Sequence, residues 1–176
     1  MEKIIAPIFE KFENTREELF KRLDSLPAEK MNQQTKSGGW SVVQVMGHLI
    51  DAENNTTMYV SKKVEKEKNL KKAGWKAAYR YWVLKIAFAI PFAKFKVPPL
   101  LKEPSNDTSF NQAKNDWRTV RNNMREVINK LDENQLKAEI FKHPVVGKMS
   151  MIQAVKFMQT HFDRHEEQID KILSEV

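Results

Sequence analysis

The chain has 176 residues, 41% of them hydrophobic, which predicts a single domain over 1–176 with a sizeable core. It has no cysteine, which excludes disulfides, a cysteine nucleophile and thiolate metal ligands, so a metal site would need histidines and carboxylates. The net charge of +7 permits contact with polyanions, but 30 basic residues are mixed with 23 acidic ones along most of the chain.

The first two predicted helices are amphipathic. The first carries apolar residues at helical spacing from Ile5 to Leu23 and stops near the turn-rich stretch LPAEKMNQQTKSGG. Its acidic residues and broken apolar pattern differ from a signal peptide, so we expect a cytoplasmic protein. The second begins at a candidate N-cap, Ser41, and runs to about Glu65. The stripe predicted to be buried in this helix consists of Val43, Met46, Gly47, Ile50 and Met58.

Two more long helices follow in the second half of the chain. One extends from Phe110 to Leu131, with Thr108 or Ser109 as its N-cap. The last follows HPVVGKMS and has Ser150 as its predicted cap. Its predicted inward face consists of Met151, Val155, Met158, Phe162, Ile169 and Ile172. No segment has a convincing strand pattern, so we predict an all-α protein, an antiparallel four-helix bundle.

An aromatic and basic segment, Trp75–Leu101, lies between the second and third long helices. Lys85 and Pro91 interrupt its apolar run, so we predict no membrane span. We expect an additional helical or irregular segment that packs on the bundle, covers a site or forms a dimer contact. Membrane-surface docking is an alternative. Nucleic-acid binding is another, but no recognised nucleic-acid motif is present and no nucleic acid is expected.

Three of the four histidines are candidate metal ligands. His161 and His165 are one helical turn apart, a spacing at which two imidazoles can coordinate one ion. His48 lies among apolar residues of the second helix, where burial disfavours an unpaired imidazole. Together they offer three nitrogens and leave open positions for water or substrate. Histidines at the edge of the core, with ordinary hydrogen bonds, are the alternative.

Three stretches together resemble the DinB/YfiT-like superfamily of metal-dependent enzymes: GGWSVVQVMGHLIDAE, HPVVGKMS and MQTHFDRHEEQI. The resemblance implies a four-helix bundle, frequently a homodimer, with a divalent metal, zinc or nickel, near one end of the bundle. It places the metal ligands on His48, His161 and His165, and gives His143 a turn-forming role. Characterised relatives include transferases and an isomerase that depend on low-molecular-weight thiols.

The functional hypothesis is a metal-dependent enzyme that acts on a small molecule, as a thiol-dependent transferase or a hydrolase. With no cysteine in the chain, a thiol would have to come from a small-molecule cosubstrate. Asp51 and Gln44, one turn on either side of His48, are candidate catalytic residues that could move a proton or donate a hydrogen bond. Trp40 either stacks on a substrate or staples the start of the helix. The alternative is a non-catalytic metal-binding or structural bundle protein.

Overall fold

The computed structural model describes residues 3–67, 69–89 and 103–176. Within these ranges, four long helices form the framework of the fold, and shorter elements connect them. The helices are α1 (Ala6–Asp24), α2 (Val42–Lys66), α3 (Trp75–Ala89), α4 (Phe110–Asn129), α5 (Glu133–Lys137) and α6 (Met151–Glu175). A 3₁₀ helix spans Ala28–Asn32, and two short strands are β1 (Phe141–His143) and β2 (Gly147–Met149).

The predicted all-α four-helix bundle is confirmed, and α1, α2, α4 and α6 form it. Helices α1 and α6 run in one direction, since Arg22 near the end of α1 bonds Glu166 in the second half of α6. Helices α2 and α4 run the opposite way, side by side, with Ser41 beside Asn106 at their starts. The long chain between α2 and α4 allows this parallel pair, whereas short loops force neighbouring helices to be antiparallel.

Serine caps fix the starts of three bundle helices. Ser41 and Ser150 each accept a hydrogen bond from the third helical residue, whose glutamine side chain bonds back to the cap backbone. Ser109, one of the two predicted caps, makes the first of these bonds at α4. Because the capping box starts α2 at Val42, His48 lies on the second turn of the helix.

Two local expectations are wrong. The expectation of no strand fails because β1 pairs antiparallel with β2, with Phe141 opposite Met149. Strands of three residues are too short to show an alternating pattern, and the hairpin depends on Gly147, whose φ is +89°. The predicted burial of Met58 is also wrong, since its side chain is 47% exposed.

Helix α3 packs on α6 and β2 outside the four-helix framework. Ala77 and Leu84 are buried, and the ring of Phe88 lies edge-on to Phe157, at 5.3 Å. This confirms a packed helix between α2 and α4, while the predicted segment beyond residue 89 lies outside the described residues. In the described part of the chain, no helix has the length and apolar character needed to cross a membrane.

A buried ion pair joins three bundle helices. The Arg121 guanidinium of α4 is fully buried; it donates to both carboxylate oxygens of Glu53 on α2 and to the Phe12 carbonyl oxygen of α1 at 2.7 Å. The guanidinium carbon also lies 3.2 Å from the centre of the Phe12 ring. Glu13 of α1 accepts a further bond from Arg121 at 3.0 Å. These contacts fix α2, the helix that carries His48, against its neighbours.

Candidate metal centre

The side chains of His48, His161 and His165 converge where α2 crosses α6. The Nε2 atom of His161 lies 3.2 Å from Nε2 of His48 and 3.0 Å from Nε2 of His165. One nitrogen from each ring lies within 4.8 Å of the other two. His161 and His165 reach the same point because residues four apart share one face of α6. His48 supplies the third nitrogen from the opposite helix.

The donor set fits a divalent cation. Tetrahedral zinc with bonds of about 2.0–2.1 Å places its nitrogen ligands about 3.3 Å apart, close to the observed spacings. Hydrogen bonds alone do not account for the cluster, because His161 Nε2 carries either one proton or one lone pair and faces two other nitrogens. A cation among three lone pairs would satisfy all three rings.

Gln168 orients one of these rings, a role that the sequence did not lead us to predict. Its side-chain oxygen lies 2.8 Å from His165 Nδ1, so this nitrogen donates the hydrogen bond and Nε2 keeps its lone pair. The tautomer assigned by this network directs Nε2 towards the other histidines. Gln168 is three residues beyond His165, in the H-x-x-Q part of the motif, so its spacing on the helix was a signal for this contact.

The environment favours neutral imidazoles. Burial lowers the pKa of His165 to about 4, and burial together with the neighbouring His165 and His48 lowers the pKa of His161 well below 6.5. Burial also lowers the pKa of His48, although the charge of Asp51 acts in the opposite direction. The lowered pKa values favour the neutral form of all three rings at neutral pH, which is the form that binds a metal ion.

Aromatic side chains form the walls of the cluster. Phe157 stacks on His161 with ring centres 5.8 Å apart, and Phe88 of α3 approaches the same ring at 5.6 Å. The ring centre of Trp40, the residue just before the α2 cap, lies 5.5 Å from the ring centre of His48. These rings exclude water from part of the site and strengthen its electrostatic interactions. Trp40 is also partly buried against the core, so its position is compatible with both roles predicted for it.

Comparison with known protein families matches residues 11–169 to the model of the DinB superfamily. The chain belongs to the DinB superfamily. This match covers α2 and α4, most of α1 and α6, and all three clustered histidines, and it confirms the resemblance seen in the sequence motifs. No curated protein and no solved structure is similar enough to this DinB-superfamily chain to count as a match.

The two candidate catalytic residues of this DinB-superfamily protein occupy different environments. Gln44 is buried: its side-chain oxygen accepts from the Ser41 backbone and its amide nitrogen donates to the Pro104 carbonyl oxygen at 3.0 Å. Its side chain therefore holds the start of α2 and the chain before α4. Asp51 is exposed on α2, and its charge acts on His48.

His143 lies outside the three-histidine cluster, at the end of β1 rather than in the predicted loop. Its Nδ1 accepts hydrogen bonds from the backbone of Val145 at 3.2 Å and of Val146 at 3.4 Å. Since Nδ1 accepts, Nε2 carries the proton of the neutral ring. The side chain holds the hairpin turn, and its ring packs against Phe157 at 4.8 Å.

Proposed function

We propose that this protein is a divalent-metal-dependent enzyme that acts on a small molecule, as a thiol-dependent transferase or a hydrolase. His48, His161 and His165 would hold the ion, with zinc or nickel the expected metals. The observation that supports the proposal most is the convergence of three Nε2 atoms at metal-ligand spacing in a chain of the DinB superfamily. Gln168 would keep His165 in the tautomer that binds metal.

A divalent cation at this site supplies Lewis-acid chemistry, which lowers the pKa of a water molecule or a thiol that binds it. The chain supplies the walls and the polar groups. Phe88 and Phe157 restrict water on one side of His161. Asp51 is the better candidate to accept a proton, because its carboxylate is exposed, whereas the amide of Gln44 is bonded in the helix cap.

The thiol, in the transferase form of the proposal, comes from a low-molecular-weight cosubstrate, because the chain has no cysteine. The homodimer and the cytoplasmic location predicted from the sequence remain part of this proposal. Sedimentation at micromolar protein concentration tests the dimer, and a single monomeric species would contradict it.

The test of the metal site is elemental analysis of protein purified without a metal-affinity tag, followed by removal of the ion with a chelator and titration with Zn²⁺ or Ni²⁺. We expect one ion per chain in the wild type and strong loss of binding in His161→Ala. His143→Ala is the matched control, since it removes a nearby imidazole that lies outside the cluster. Equal losses in the two variants would contradict the assignment of ligands.

The test of catalysis compares metal-free and reloaded protein on a panel of alkyl halides, epoxides and esters, with and without glutathione or cysteine. Turnover that requires the ion and a thiol supports a transferase, and turnover that requires the ion alone supports a hydrolase. Activity that persists after complete metal removal would refute the metal-centred function. Stoichiometric metal binding without turnover of the panel would support the non-catalytic alternative.

A further inference from the structure

Helix α3 has an exposed aromatic face opposite its buried face. Trp75, Tyr79, Trp82 and Ile86 are 76%, 66%, 55% and 60% exposed. At the helical period these four positions fall within an arc of about 60°, so their side chains form one continuous stripe. The three aromatic residues alone expose on the order of 400 Å², which is as large as the largest apolar patch on a typical monomer.

The inner face of α3 fixes this orientation. Ala77 and Leu84 are buried against the bundle, and Phe88 contacts Phe157 and His161. Turning the stripe inward would expose these buried side chains. The aromatic face is therefore presented outward by a helix that is itself anchored on α6.

Lysines border the stripe on both sides. Lys76 and Lys85 lie roughly 90° from its centre in opposite directions, and their Nζ atoms lie 5.7 Å from the ring centre of Trp75 and 5.0 Å from that of Trp82. Long cationic side chains beside exposed aromatic rings suit a boundary between an apolar layer and water, where the rings insert and the ammonium groups stay hydrated.

The positive charge of the whole chain originates in the segment that contains this helix. Residues 68–102 hold nine lysines and arginines and no aspartate or glutamate. The other 141 residues hold 21 basic and 23 acidic residues, a net charge of −2 against +9 for the segment. The segment that carries the aromatic face is therefore strongly positive, and an anionic surface is the partner that its charge favours.

We propose that the α3 face docks on an anionic membrane surface, with Trp75, Trp82 and Ile86 entering the interface and Lys76 and Lys85 contacting lipid headgroups. The protein would lie on the bilayer surface, since no helix within the described ranges is long and apolar enough to cross it. The stripe favours lipid over nucleic acid because it lies on a convex helix rather than in a groove, and because Ile86 has no ring on which a base could stack. It favours lipid over a second copy because a symmetric α3–α3 contact would bring lysines together in a segment without acidic residues.

The test is flotation of the full chain with phosphatidylcholine vesicles, with and without about one-third phosphatidylglycerol, at low and high salt. We expect binding to the anionic vesicles, weakened by salt, and little binding to the neutral ones. Lys76→Glu with Lys85→Glu should weaken the binding at least tenfold, since each cation near such a surface contributes roughly fivefold. The matched control is Lys11→Glu with Lys21→Glu, the same change of charge on exposed residues of α1.

The apolar part of the proposal has its own variants. Trp75→Ser with Ile86→Ser should weaken binding to anionic vesicles, whereas Ile4→Ser with Met58→Ser, which alters exposed apolar residues elsewhere, should not. Circular dichroism checks that each variant is folded. Protection of wild-type tryptophan fluorescence from iodide by anionic vesicles reports insertion without any variant.

Three results would overturn the proposal. One is equal affinity of the α3 variants and their controls for anionic vesicles, or no iodide protection. Another is tighter binding of single-stranded DNA than of vesicles that is lost in the Lys76 and Lys85 variant, which would assign the face to nucleic acid. The third is a dimer that the Trp75 and Ile86 variant converts to a monomer, in protein that does not bind vesicles, which would assign the face to a second copy.

Discussion

Replacement of Arg121 by methionine should cost about 3–5 kcal/mol of the free energy of unfolding. The magnitude follows from burial: Arg121 is 0% exposed and Glu53 is 2% exposed, so the substitution leaves a carboxylate inside the bundle without its cation. The Phe12 carbonyl oxygen also loses a 2.7 Å hydrogen bond. Arg118→Met is the matched control. Because Arg118 forms an exposed pair with Glu17, we expect a loss of at most about 1 kcal/mol.

The assay is urea unfolding followed by circular dichroism, in the presence of a chelator so that the metal site does not contribute. Combining Arg121→Met with Glu53→Met should recover much of the loss, because no charge is then left buried without a partner. A loss below about 1 kcal/mol for Arg121→Met would refute the argument. So would a double variant whose loss equals the sum of the two single losses.

Three further predictions concern the histidine cluster. Gln168→Leu should weaken Zn²⁺ binding about 10–100-fold without changing the stoichiometry, because His165 loses the partner that sets its tautomer. Calorimetric titration measures both the affinity and the stoichiometry. Zn²⁺ at 100 times its dissociation constant should stabilise the wild type by about 2.7 kcal/mol, and His48→Ala should remove most of this gain in thermal unfolding. The metal-free protein should lose stability as pH falls from 6.5 to about 4, because His165 binds a proton at a higher pH in the unfolded state than in the folded state. The loss from His165 alone is about 3 kcal/mol. Urea unfolding measures it, and His165→Gln should show a flatter dependence of stability on pH.

The long helices could be predicted because their signals are local. Ser41 and Ser150 are followed three residues later by glutamine, and every residue of the predicted inward face of α6 is buried. The i, i+4 spacing of His161 and His165 is likewise a property of one helix. The approach of His48 from α2 is a tertiary contact: its apolar surroundings made it a candidate third ligand, and the family resemblance placed it in the same site as His161 and His165.

The remaining features depend on contacts between segments distant in the chain. Arg121 and Glu53 carry charges that are usually exposed, and their burial becomes intelligible only when α2 and α4 lie side by side. The parallel course of that pair is a property of how the two helices pack, so the periodicity of each helix alone does not reveal it. Met58 falls on the predicted apolar stripe, yet its side chain is 47% exposed.

The cluster joins positions that are far apart along the chain: His48 and His161 are separated by 113 residues. An ion shared between them would close a loop of that length, and a covalent cross-link over a loop of about 100 residues restricts the unfolded chain by about 4–5 kcal/mol. The chain has no cysteine and can form no disulfide, so a bound metal ion would be a reversible cross-link between α2 and α6. Two fragments cut between α3 and α4 should therefore bind each other more tightly with the ion bound than after the ion is chelated.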